Sequence, residues 1–339
     1  MALQTSGAIS LNDIHVEVGG TSGTNCSLND ADFRSLIGVS DQANQSLLLY
    51  YGQSNEIPLT SAGNVNGQAQ RKQISASSYI SSGGTLSIPS SMWVWSDDRT
   101  VAALTVDIPC TIINNGKIIG KGGQGGSGLR WGNYPHPTTS AYNSGYGNST
   151  VGNGSDGGPA INVTSSGVTI INSSGAYIAG GGGGGGAYSD YSNPSDAHAG
   201  GGGGAGGGKG GRGRINQGYW QQGPGGILNA SGGAGGNGSG GAGGGAGGAG
   251  GGHQGGGGGG GRILPGVGGG GGNSAGDGGS AGNAGVSGGP YVFSLAGGGG
   301  GWGAAGGLGG GRYGGAAGGA AISGTSRTLS NSGTIYGGT

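Results

Sequence analysis

Apolar residues in this chain come in short bursts separated by polar and glycine-rich stretches, and each burst predicts a small element. A first short helix is predicted through Ile14, Val16 and Val18, stopping at Gly19-Gly20. A second carries Phe33, Leu36 and Ile37 and stops at Gly38. The same phrase precedes both: Ser10-Leu11-Asn12-Asp13 and Ser27-Leu28-Asn29-Asp30 read as capping-box-like starts, with Asp in the place of the usual Glu or Gln. Residues 46–52, Ser-Leu-Leu-Leu-Tyr-Tyr-Gly, read as an extended, buried closing segment.

From 57 to 115 the bursts shorten to strand length between Ser/Gly turns: Ile74, Tyr79-Ile80, Leu86-Ser87-Ile88, Trp93-Val94-Trp95 and Leu104-Thr105-Val106. Trp93 and Trp95 share a strand face by the period of two and are expected in a core rather than on a sugar platform. Three later phrases match one another: Thr111–Gly120, Thr169–Gly180 and Thr328–Gly337. Each runs strand, Asn/Ser-Gly turn, strand, then glycine, which predicts three tight hairpins. Internal repeats stack on one another, so these are expected to form a β layer under the glycine-rich part, closed by the C-terminal copy.

Glycine changes this picture. It supplies 102 of 339 residues, about four times the usual share, and only ten of these precede Gly116. Charged residues make up 8%. Such a chain is disordered unless glycine itself is the structural unit, because glycine loses the most backbone entropy on ordering. Charge shifts at the same boundary: residues 1–115 hold nine acids and four bases, and the remainder four acids and nine bases, a mildly cationic half suited to an anionic surface. Cys26 and Cys110 do not make a disulfide framework. There is no signal-peptide pattern at the N-terminus and no apolar run of membrane-spanning length, which fits synthesis in a cytoplasm.

The glycine runs (180–186, 200–208, 232–252, 255–261, 268–272 and 297–301) lack the strict Gly-X-Y period and the proline of collagen. GxGxxG matches arise from composition alone, and Gly208-Lys209-Gly210 lacks the Ser/Thr of a phosphate loop. An extended helix of three residues per turn remains. It has no internal hydrogen bonds, so its N–H and C=O groups must pair with neighbouring helices. Cα–H···O contacts would add to those bonds.

Two resemblances follow. The N-terminal phrases "AISLNDI", "SLNDADFRSLIGV" and "YYGQS" resemble short N-terminal modules of tailed-phage structural proteins. That likeness implies a virion attachment role for residues 1–56, with Leu11, Ile14, Leu28, Phe33, Leu36 and Tyr50 carrying it. From Gly116 on, glycine runs alternating with compositionally different segments resemble the tail-fibre tip adhesins of T-even-type phages. That resemblance implies a polyglycine-II sandwich whose interleaved loops lie at the distal tip and bind outer-membrane proteins or lipopolysaccharide. The expected fold is mainly β and irregular: a helical attachment module at 1–56, a β-rich connector at 57–115 and a polyglycine-II receptor-binding domain at 116–339.

Aromatic, Asn, Ser and His residues collect between the glycine runs. The candidates for receptor binding are Trp131, Tyr134, His136, Tyr142, Tyr146, Tyr188, Tyr191, His198, Tyr219, Trp220, Tyr291 and Phe293. Aromatic rings give large contact area at low entropy cost and the small polar residues adapt, as in antibody paratopes; the alternative is that these loops merely cap helix ends. His136, His198 and His253 lack metal-ligand spacing, so no metal or cofactor is expected. Paired carboxylates for glycan cleavage are scarce, with no Glu after Glu56, so no catalysis is expected. A regular ice-binding bundle would need repeating Thr or Ala faces. The reading is a tail-fibre tip adhesin in the virion, partnered by a host receptor and by other tail-fibre or baseplate proteins. It would act as a homotrimer or as a monomer on a trimeric fibre, without nucleic acid. The alternative is a non-binding structural fibre or baseplate protein.

Overall fold

A computed structural model describes residues 3–4, 8–37, 46–50, 56–62, 64–65, 68–126, 152–187, 200–214, 220–222, 268–270, 277–288, 296–309 and 313–339. At the N-terminus, helix α1 (Leu11–Glu17) starts on a complete capping box. The Ser10 hydroxyl accepts from the Asp13 N–H at 3.2 Å, and the Asp13 carboxylate accepts from the Ser10 N–H at 2.8 Å. These bonds satisfy donors that a helix start otherwise leaves open. The second copy of the phrase behaves differently. Asp30 accepts from the Ser27 N–H at 2.8 Å and closes a turn, and helix α2 (Ala31–Leu36) follows with no side-chain cap bond. The last phrase is a correction as well: Leu47–Tyr50 is a 3-10 turn, not an extended strand. Tyr50 is fully buried, while Leu47 and Leu49 are 38% and 43% exposed. Leu3, Ile14, Phe33 and Tyr50 form the buried centre of this module.

Three sheets follow, parallel throughout except for one antiparallel pair, Asn64–Val65 against Gln68–Lys72. The first orders β1 (Glu56–Pro58), β5 (Thr85–Ile88), β8 (Thr111–Asn114), β11 (Val168–Asn172) and β16 (Arg327–Asn331) side by side. The second orders β17 (Thr334–Tyr336), β12 (Tyr177–Ala179), β9 (Lys117–Ile119), β6 (Met92–Trp95), β3 (Gln68–Lys72) and β2 (Asn64–Val65). The third orders β15 (Ile322–Gly324), β10 (Ile161–Val163), β7 (Leu104–Val106) and β4 (Ile74–Ser75). From β3 on the chain visits the sheets in rotation, so each circuit adds one strand to each face, as in a β-solenoid. Inward residues from all three faces share one core: Leu86, Ile112 and Ile170 from the first, Val94, Ile118 and Ile178 from the second, Leu104, Ile161 and Ile322 from the third. That core draws on both sides of residue 116, so the shift in composition there does not divide two cores. The Tyr79-Ile80 burst follows a 3-10 turn at Ala76–Ser78 and is not a strand.

The three matching phrases stack, but not as hairpins. Within each phrase the two strands lie on different faces and pair parallel with the equivalent strands of the other phrases, Ile112 with Ile170 and Ile118 with Ile178. The Asn-Ser-Gly segment is the corner between faces. Neither Asn115 nor Gly116 takes a positive φ, whereas Gly175 does, at 81°. The first Asn of each corner builds a ladder instead. Asn114 Nδ2 donates to Asn172 Oδ1 at 2.8 Å, and Asn172 Nδ2 donates to Asn331 Oδ1 at 2.8 Å. Asn114 and Asn172 are fully buried, and the ladder is what makes that tolerable.

The glycine segments depart from this prism after β9 and β12 and return before β10 and β15. Gly120 N–H bonds Ala179 O at 2.8 Å and Gly180 N–H bonds Tyr336 O at 2.9 Å, so the segments start in contact with the sheets. Residues 180–187 lie at their centre. The N–H groups of Gly181, Gly184 and Ala187 bond Gly158, Ser155 and Gly152, those of Gly182 and Gly185 bond Ala205 and Gly202, and those of Gly183 and Gly186 bond Ala304 and Gly307, all at 2.8–2.9 Å. Their carbonyls receive bonds from three further segments, Gly319 and Ala316, Gly123 and Gly126, and Gly300 and Gly297. The direction therefore repeats every third residue, and a buried segment without helix or strand has its polar groups paired. A Cβ built on Gly181, Gly184 or Gly185 would overlap a neighbouring carbonyl, of Lys121, Gln124 or Gly297 respectively, so side chains are excluded by close approach.

Candidate functional site

The array has a near end on the prism and a far end. At the near end the outward residues of the second sheet, Trp93, Ile119 and Ala179, bury against Ala205 and Trp302 of the glycine segments. Alternation along β6 explains this: Val94 enters the prism core, and Trp93 leaves it for this second cluster, with Trp95 packed at its margin. The Trp95 indole N–H donates to Gln70 Oε1 at 2.8 Å. Tyr177 and Tyr336 stack at 6.3 Å with an 8° tilt, and Trp302 lies 5.8 Å from Tyr336. Lys117 Nζ sits 4.5 Å from the centre of the Trp93 ring. Lys121, its ammonium donating to Gly207 O at 2.7 Å, is pulled below the ordinary lysine range chiefly by desolvation. Turns at Gly206-Gly207, Gly282 and Gly303 reverse the chain here, all at positive φ.

The far end is where the chain leaves the array. Gly126 N–H bonds Gly185 O at 2.9 Å, Ala187 N–H bonds Gly152 O at 2.8 Å, and Gly201 N–H bonds Gly126 O at 2.9 Å. Gly297 N–H bonds Gly186 O at 2.9 Å, Gly288 N–H bonds Leu308 O at 2.8 Å, and Gly309 N–H bonds Tyr313 O at 2.9 Å. These residues flank the chain segments 127–151, 188–199, 289–295 and 310–312, so all four segments begin and finish at one end of the array. Gly211, bonded to Gly201 O at 2.7 Å, leads from the same end into β13 (Arg212–Arg214), which pairs antiparallel with β14 (Trp220–Gln222).

Among the residues expected to bind a receptor, Trp220 lies in β14, opposite Arg214. Trp131, Tyr134, His136, Tyr142, Tyr146, Tyr188, Tyr191, His198, Tyr219, Tyr291 and Phe293 lie outside the described residues, in segments whose flanks are at the far end except that Tyr219 falls between β13 and β14. Among the attachment residues, Ile14, Phe33 and Tyr50 are fully buried, Leu28 and Leu36 pack around them, and Leu11 is 38% exposed. Ile14, Phe33 and Tyr50 therefore hold the module together rather than presenting a surface. Trp302 belongs to the near-end cluster, although its setting within a glycine run gives no sign of that. Its only sequence signal is isolation, without the Asn, Ser and His residues that accompany the aromatics of the longer segments.

The titrating groups of the prism do structural work. Burial would raise the Asp107 carboxyl, but hydrogen bonds from Ser75 Oγ at 2.6 Å and from the Ser77 hydroxyl and N–H outweigh it and hold the pKa at about 2. Burial and the neighbouring Asp107 charge push the Cys110 thiol up to about 11. Among the described residues no three His, Cys, Asp or Glu side chains gather in a metal-binding group.

The family model of the phage tail fibre adhesin Gp38 matches residues 54–254, more than half of the chain. Among solved structures the chain is similar to the crystal structure of the gp37-gp38 adhesin tip complex of the bacteriophage S16 long tail fiber. The similarity has 21% identity and a TM-score of 0.42, and it covers 98% of this chain and 99% of the other. No curated protein matches.

Proposed function

The chain belongs to the phage tail fibre adhesin Gp38 family, and on that premise we propose that it binds the bacterial surface through the segments carried at the far end of its glycine array. Four chain excursions begin and finish at that end, and this observation carries the reading. The excursions at 127–151, 188–199 and 289–295 contain the aromatic-rich sequences, with Trp131, Tyr134, His136, Tyr142, Tyr146, Tyr188, Tyr191, His198, Tyr291 and Phe293. Tyr219 and Trp220 join them through the β13–β14 ribbon. The receptor is an outer-membrane protein or a surface glycan. The array is a polyglycine-II sandwich; the three-residue period of hydrogen bonds around residues 180–187 supports that assignment. Residues 1–56 fasten the molecule to other tail-fibre proteins through the exterior of the module, where Leu11 is exposed, while Ile14, Phe33 and Tyr50 keep it folded. In this arrangement the prism and the array form one receptor-binding unit, because they share the near-end cluster.

The test uses the full chain. Segments 127–151 and 188–199 are replaced by short Gly-Ser linkers, and binding to host cells and blocking of infection are compared with the intact protein. The expected result is a variant that unfolds at the original temperature and no longer binds. Intact protein that fails to bind host cells would overturn the reading in favour of a structural fibre component.

A further inference from the structure

The third sheet bonds from rung to rung by one rule. The N–H of Ile74 donates to Ala103 O at 2.9 Å, that of Leu104 to Ala160 O at 3.0 Å and that of Ile161 to Ala321 O at 3.0 Å. Ile74, Leu104, Ile161 and Ile322 stand in register, so each donor reaches the residue that precedes its counterpart on the next strand. Ile322 lies in β15, the outermost strand of this sheet among the described residues. Both of its backbone groups are nevertheless occupied. Its N–H donates to Gly338 O at 3.1 Å, and its carbonyl accepts from Arg327 Nη2 at 3.3 Å. Arg327 Nη1 donates to Thr325 O at 3.2 Å, so the guanidinium clips the corner between β15 and β16.

Arg327 reaches this corner from an inward position. On the first face Val168, Ile170 and Asn172 are buried inside the prism, and their partners on β16 are Arg327, Leu329 and Asn331. The apolar column Leu86, Ile112, Ile170 continues in Leu329, whereas Val168 is followed by a cation. Leu329 and Ile335 are only partly buried, although Ile170 and Ile178 one rung further in are fully buried. The Ser332 N–H returns to Asn172 O at 2.8 Å, so by alternation the backbone groups of Leu329 and Asn331 turn to the open side.

We infer that this rung is a built-in stop: Arg327 keeps a second copy of the chain from adding its strands to the end of the prism. An edge strand offers a row of unpaired N–H and C=O groups to any other strand, and an inward-pointing charge is one way to close it. The guanidinium supplies the N–H that a next strand would bring to Ile322, and its fork spans two carbonyls, which a lysine ammonium does not reproduce. A copy pairing with β16 would cover Leu329 and Ile335, but it would also have to pull Arg327 from its two acceptors or bury the charge between the two ends. The inference is independent of the receptor, so its failure leaves the adhesin reading untouched.

The full chain is compared with R327L, R327A and T328L by sedimentation velocity over a range of concentrations, and by hydrogen exchange of the Leu329 and Asn331 amides. R327L extends the apolar column and removes the clip; R327A removes the clip alone and serves if R327L does not fold. T328L places the same leucine at an exposed position of the same strand and keeps the clip, so it measures mere stickiness. Cooperative thermal unfolding identifies the folded variants. R327L and R327A are expected to self-associate at least about tenfold more tightly than wild type, with the Leu329 and Asn331 amides gaining protection as concentration rises. T328L should sediment as wild type does. Arginine variants that fold and sediment as wild type overturn the inference, and so does a T328L variant that associates as strongly as R327L. Wild-type chain whose Leu329 and Asn331 amides become protected with concentration overturns it as well, because the rung is then a dimer contact rather than a stop.

Discussion

Gly184→Ala puts the glycine array to a single-atom test. Gly184 lies in the central segment, donates to Ser155 O at 2.9 Å and accepts from the Ala316 N–H at 2.9 Å. An added methyl would overlap the Gln124 carbonyl, which is backbone and has no rotamer through which to escape. Forcing the segments apart costs about 1–3 kcal/mol of overpacking. Displacing the two backbone bonds adds about 1 kcal/mol each. The expected loss is about 3–5 kcal/mol, and at about 2 °C per kcal/mol for a chain of this size the unfolding midpoint falls by about 6–10 °C. Gly314→Ala is the matched control, since nothing stands within 4 Å of its added methyl. Its effect should stay within about 0.5 kcal/mol, with a slight gain from a stiffer unfolded chain. Thermal unfolding by circular dichroism reads both, and hydrogen exchange reports whether the amides of 181–187 lose protection. If Gly184→Ala unfolds at the wild-type temperature, or no lower than Gly314→Ala, close backbone packing is not what selects glycine here.

Two further outcomes concern the prism. Asn172→Ala removes the middle rung of the ladder and leaves the buried Asn114 amide without its 2.8 Å acceptor, so a loss of about 2–3 kcal/mol is expected. Asn331→Ala, at the exposed end, should cost under about 1 kcal/mol by the same measurement of urea unfolding. Asp107 gives a pH dependence. Its folded pKa of about 2 lies below the ordinary 3.8, so its contribution is complete above 3.8 and disappears as pH falls through 2. Because the residue is solvent-exposed, screening reduces that contribution to about 1 kcal/mol. Wild type should exceed Asp107→Asn in stability at neutral pH by that amount, and the gap should close as pH falls through about 2; an unchanged difference across the window would show that the Ser75 and Ser77 bonds do not favour the carboxylate.

The sequence carried the local elements and the repeats but not their pairing. Strand, Asn-Gly and strand read as a hairpin because a hairpin and a solenoid corner look alike over ten residues. The deciding contacts lie far off: Asn114 meets Asn172 58 positions away, and Asn172 meets Asn331 159 positions away. Excursions of very different length separate these partners, so no fixed period announces the stacking. A buried Asn at the same place in each phrase was the available clue, since an unpaired buried amide is costly and a ladder is the cheapest way to pair several. The two starts written Ser-Leu-Asn-Asp teach a similar lesson. Asp13 caps a helix and Asp30 closes a turn, although the four residues are identical.

The far-end site was half legible for a related reason. Composition marks which segments are rich in aromatic residues but cannot orient them, because a run of identical glycines has no internal direction or phase. Phase enters through the hydrogen bonds, which turn through three directions along residues 180–187, and through the turns at Gly206-Gly207, Gly282 and Gly303 that reverse the chain at the near end. Every reversal near the prism forces the next excursion to the opposite end. The bonds of Gly126, Gly152, Ala187, Gly201, Gly288, Gly297 and Gly309 that bracket those excursions are made to one another or to other residues of the array, and none requires a side chain of the excursion it brackets. A residue inside the array is constrained by the nearest carbonyl, as Gly184 is by Gln124.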